Sequence, residues 1–176
     1  MGTRSRIAVM HGDNCKSVYC HWDGYLDHNG RILLEHYDSA KANHLVALGD
    51  ISSLGTEIGE KHPFSRFETD ISDAAWESRY GNMTTFYGRD RGESGTEWKT
   101  DATFEAFLDR ADGCGAEFYY IMKDGVWYVG DTYDSTPLSK KLTPLAEALA
   151  DQDIESDLDN EKTALSTVIA SLTVDQ

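Results

Sequence analysis

The sequence predicts an α+β fold: an antiparallel sheet built from an N-terminal hairpin and a second hairpin near residue 120, with short helices and a helical, acidic C-terminal appendage. Three observations carry this. Two segments alternate apolar and polar residues around turn-forming loops, helical spacing fills the interval between them, and acids crowd the end of the 176-residue chain.

The first hairpin runs from Ser5 to Met10, turns through His11-Gly12-Asp13-Asn14 and returns from Lys16 to Trp22. Pairing Met10 with Cys15 sets Ile7 opposite Val18 and Arg6 opposite Tyr19. One face then carries Ile7, Val9, Val18, Cys20 and Trp22 and is read as core. The other carries Arg4, Arg6, Tyr19, His21 and Asp23 and is read as the face for chemistry. After the turn-rich Asp27-His28-Asn29-Gly30, the spacing of Ile32, Leu33, Tyr37, Ala40, Leu45, Val46 and Leu48 predicts two short helices or one kinked helix. Gly49 stops it, and Asp50 caps a brief turn holding Ile51, Leu54 and Ile58. Residues 59–70 read as loop and Asp73 to Tyr80 as a helix. Met83 to Tyr87 reads as a strand and Gly88 to Gly95 as loop. Asp101 is read as the cap of a helix with Phe104, Phe107 and Leu108 inward, and Gly113 stops it. Ala116 to Lys123 and Val126 to Asp131 flank Asp124-Gly125, the pair that suits a type I′ turn. Pro144 opens one helix and Lys162 to Leu172 forms another.

The predicted domains are residues 1–131, an α+β unit, and residues 132–176, the acidic extension. The overall charge is −15. Residues 131–176 carry net −7 of it, so a quarter of the chain holds nearly half the excess. Such a field repels nucleic acid and anionic membrane and favours a partner with a basic surface. No apolar run reaches the ~18 residues a membrane span needs, and the N-terminus lacks the apolar stretch of a signal peptide. Three cysteines, an odd number, suit a reducing compartment.

Two islands mix aromatic rings, ionisable groups and glycines in the manner of a site. In Tyr19-Cys20-His21-Trp22-Asp23-Gly24-Tyr25, Asp23 could orient His21, and Arg6 adds a positive charge. In Thr85-Phe86-Tyr87-Gly88-Arg89-Asp90-Arg91-Gly92-Glu93, the guanidinium forks suit phosphate or carboxylate. The candidate ligand-binding residues are Arg6, Tyr19, His21, Asp23, Tyr25, Tyr87, Arg89, Asp90, Arg91 and Glu93. The two islands are expected to meet, with Arg89 or Arg91 beside Asp23. No catalytic residue, metal ligand or cofactor is assigned. Cys15, Cys20 and Cys114 lack the close pairing of zinc ligands, and the six histidines lack helical pairing.

Together with Thr3-Arg4-Ser5-Arg6-Ile7 and Leu48-Gly49-Asp50-Ile51-Ser52-Ser53-Leu54-Gly55, these islands resemble a family of small uncharacterised proteins encoded by tailed bacteriophages. The resemblance covers residues 3–130 and implies a setting, the cytoplasm of an infected bacterial cell or a virion, without an activity. The expected function is that of an acidic, non-enzymatic binding protein that engages a host or defence protein during infection, the expected partner being a host or phage protein with a basic surface. The alternatives are a protein that binds or hydrolyses a nucleotide or other small anion, and a virion component.

Overall fold

In the computed structural model, which describes residues 2–132 and 142–173, a mixed eight-stranded sheet is packed by helices on both faces. The fold class is α+β, as predicted. Strands β1 (Ser5–His11) and β2 (Asn14–Cys20) form the first hairpin in the expected register, Met10 opposite Cys15 and Ile7 opposite Val18. Strands β6 (Phe118–Lys123) and β7 (Val126–Asp131) form the second. Asp124 and Gly125 both adopt positive φ, 51° and 77°, as the type I′ turn requires. What the sequence pattern does not contain is how the hairpins join: β1 lies parallel to β6, with Ile7 opposite Tyr120.

The sheet order is β4-β3-β2-β1-β6-β7-β8, and β5 (Lys99–Asp101) pairs with the first half of β2. Strands β3 (Ile51–Ser53), β4 (Thr85–Phe86) and β8 (Thr143–Pro144) are short. On one face Ile7, Val9, Val18, Cys20, Ile51, Phe86, Tyr120 and Trp127 are covered by α1 (Arg31–His36), α2 (Ser39–Ala47) and the start of α6 (Leu145–Thr173). On the other, Ala8, Met10, Cys15, Tyr119 and Ile121 lie under Phe107 and Ala111 of α5 (Phe104–Gly113). The face read as chemistry is therefore a second core along most of its length.

Other elements depart from the sequence reading. Asp50 starts no helical turn, because β3 begins at the next residue. Thr103, not Asp101, caps α5, accepting from the Ala106 amide, while Asp101 belongs to β5 and pairs with Arg110. Helix α3 (Asp73–Tyr80) falls where expected. The strand read from Met83 to Tyr87 ends at Phe86, and Tyr87 and the first residues of the stretch read as loop form a short helix, α4 (Tyr87–Arg91), ended by Gly92 at φ 69°. The two C-terminal helices are one, and its first turns are core: Leu145, Ala148 and Leu149 are buried, and β8 just before them pairs with β7.

Candidate functional site

The two islands lie on either side of β3. Cys20 of β2 is opposite Ile51, and Ile51 is opposite Phe86 of β4. Because Ile51 and Cys20 face the core, their neighbours Tyr19, His21 and Ser52 fall on the other side of the sheet. There Tyr19 lies near Cys114, at the C-terminal end of α5.

At the split between β5 and β3, β2 has no strand partner on that side for two residues, Val18 and Tyr19, while β1 stays paired on the other. Lys99 is opposite Ser17 and Ile51 opposite Cys20, so the Tyr19 amide between them needs another acceptor. Asp50 supplies it, its carboxylate taking that N–H at 2.9 Å. Burial pushes the Asp50 carboxyl above the usual range, and the Tyr19 amide, Arg6 and Lys99 pull it partly back.

Tyr19 and His21 share a hydrogen bond of 2.8 Å between the phenol oxygen and Nδ1. His21 in turn meets the Trp22 ring edge-on, with centroids 4.6 Å apart, so three rings form a row. From the second island, Tyr87 bonds Ser52 through their side chains and stands close enough to Tyr19 to raise its pKa. Burial is the larger cause for both phenols. The islands thus converge, but through Tyr19, Ser52 and Tyr87 rather than through charge.

Neither arginine reaches Asp23. Arg89 is spent inside the protein: it donates to the carbonyls of Ile58, Gly59 and Thr84 and to the Asp90 carboxylate. Asp90 is buried and also accepts the amides of His62 and Phe86, so it ties α4 to the chain before it. Arg91 pairs with Glu93 at 2.7 Å and lies over the rings of Phe64 and Tyr87. Arg6 is 4% exposed and donates to the Ser17 hydroxyl, so it stands beneath the surface. Arg4 is different: its guanidinium packs on Gly115 near Tyr19 and makes no hydrogen bond or ion pair among the described residues.

Trp22 corrects the sequence reading most sharply. It is 44% exposed, not core. The cause lies in the backbone: the successive amides of His21 and Trp22 both donate to β3, to the carbonyls of Ile51 and Ser52. In a regular strand successive N–H groups point to opposite sides, so the alternation that would carry Trp22 inward ends at His21. Asp23 then takes φ 57°, and Gly24 passes so close to Thr3, Arg4 and Ser5 that a Cβ there would meet the Ser5 side chain at 2.7 Å.

Buried groups pin this turn. The Gly24 amide donates to the Thr3 carbonyl, and the Tyr120 hydroxyl donates to the Gly24 carbonyl at 2.6 Å. The Asn29 amide side chain, wholly buried, reaches Ser5 Oγ, Cys20 Sγ and the Trp22 carbonyl. Tyr25, 42% exposed, stands at the far end of the turn. Sequence reasoning missed Asn29, Asp50 and Ser52. Asp50 and Ser52 lie in the Leu48–Gly55 string, but no local pattern reveals that one serves the Tyr19 amide and the other Tyr87.

The cysteines stand apart: Cys15 and Cys20 lie on opposite faces of the sheet, and burial raises their thiols to about 11 and about 12. Both are protonated at neutral pH and poor nucleophiles or metal ligands. Comparison with protein-family models, with curated proteins and with solved structures finds no match for this chain. Among the described residues, no helix is long and apolar enough to cross a membrane.

Proposed function

We propose that this chain is a non-enzymatic binding module that engages a host or defence protein during bacteriophage infection. Its contact surface is the row of Tyr19, His21 and Trp22 with Tyr25 beside it. The observation that carries this reading is Trp22: a half-exposed indole held on a turn that buried hydrogen bonds make rigid. Exposing a large ring costs solvation without stabilising the monomer, whereas tryptophan and tyrosine dominate the energetic centres of protein interfaces. A rigid turn also lowers the ordering cost of association.

The net charge of −15 selects a partner with a basic surface and speeds its encounter. Arg89, which an anion-binding reading would need, is occupied by carbonyls and Asp90. Affinity capture from bacterial extract with the wild type, Trp22→Ala and Trp98→Ala tests the proposal. Trp98 is a matched control, at 42% exposure against 44%. The expected result is a specific protein lost with Trp22→Ala and kept with Trp98→Ala. Equal retention by all three would remove the turn from the interface.

A further inference from the structure

Helix α6 has two opposed apolar faces. Leu145, Ala148 and Leu149 dock its first turns in the core, while beyond Gln152 every residue to Thr173 is exposed. At 100° per residue, Ile154, Leu158, Leu165, Val168 and Leu172 fall on the side opposite the docked residues. With Glu161 at the one polar position, the seam steps by 4, 3, 4, 3 and 4 residues, the alternation of coiled-coil a and d sites. These side chains and the flanking Ile169 are 49–69% exposed.

The projecting segment also lacks the means to be a helix alone. From Thr163 to Thr173 it contains no charged residue, hence no ion pair along the helix, and threonine, serine, valine and isoleucine fill seven of its eleven positions. These are mediocre helix formers, and isolated helices of this length are marginal in water. Packing against another surface is what such a sequence requires.

We infer that this segment forms an antiparallel two-helix coiled coil with a second copy of the chain. Charge decides the direction. Six acids lie between Asp151 and Glu161, and none between Lys162 and Thr173. Parallel copies would set acid against acid, while antiparallel copies lay each acidic half along the other's uncharged half. Aligning Ile154 with Leu172 sets Leu158 against Val168 and Glu161 against Leu165. The six apolar side chains expose roughly 100 Å² each, so two copies bury on the order of 1,200 Å², above the ~1,000 Å² expected of a specific interface.

Light scattering and sedimentation on the full chain at about 100 µM test this, since self-association follows concentration. The wild type should approach twice the 19.6 kDa chain mass and dissociate on dilution. Leu165→Asp with Val168→Asp should weaken association at least about tenfold, a loss of ~1.4 kcal/mol, with the melting of the core unchanged. Ser166→Asp with Ala170→Asp, on the other face, should dimerise like the wild type. In a Cys114→Ser background, chains carrying Glu161→Cys should cross-link to chains carrying Leu165→Cys, whereas Leu158→Cys alone should not cross-link to itself. A monomeric wild type, a seam variant that still dimerises fully, or a Leu158→Cys homodimer would overturn the inference.

Discussion

Trp22 and Phe86 both adjoin β3, yet Phe86 is fully buried and Trp22 is nearly half exposed. Phe86→Ala should therefore cost about 3–5 kcal/mol, as aromatic core truncations do. Trp22→Ala should cost under about 2 kcal/mol, since the indole packs chiefly on Gly2 and His21. Urea unfolding of the two variants compares them directly; equal losses would place Trp22 in the core after all. Asp50 gives a pH signature. Its raised pKa means the folded state holds the proton more tightly than the unfolded chain, so stability is lost as pH rises from the usual carboxylate value through the raised one. Asp50→Asn has no such titration but keeps an oxygen for the Tyr19 amide. Its stability relative to the wild type should improve as the pH rises above the usual carboxylate value of about 4. A difference that does not change with pH would contradict the assignment. The sequence made Tyr19, His21 and Tyr87 recognisable as site candidates because rings and ionisable groups cluster there. It could not place Trp22, because its alternation continues through a point where two successive amides turn to the same strand.

Among the elements, both hairpins were legible. Period-2 patterning sets which face is buried, and Asp124-Gly125 specifies its turn locally. Helix α4 was not legible, because Gly88 and Gly92 flank too short a stretch to show helical spacing. Its stability comes from tertiary contacts, with the buried Asp90 accepting the amides of His62 and Phe86 and pairing with Arg89. Asp90→Ala strips three donors of their acceptor and should cost about 3–5 kcal/mol. Hydrogen exchange should show the His62 and Phe86 amides losing protection first. Exchange spread evenly over the sheet would argue that Asp90 is not the tie.

At the scale of the whole molecule, the parallel pairing of β1 with β6 joins segments more than a hundred residues apart, beyond any local pattern. The same holds for the docking of α6. An acid at every second position from Asp151 marks the projecting helix, but the strand and first turns before it are packed into the sheet. A chain ending at Ala150 should keep the melting temperature of the core, whereas one ending at Thr132 should uncover Tyr120 and Val129 and melt well below it. Equal melting of the two would make residues 133–150 dispensable. The binding proposal is tested most directly by hydroxyl-radical footprinting of the free protein and of its captured complex. Trp22 and Trp98 begin almost equally exposed, at 44% and 42%, so each calibrates the other. Oxidation of Trp22 and Tyr25 should fall sharply in the complex while that of Trp98 stays constant; an unprotected Trp22 would contradict the proposed surface.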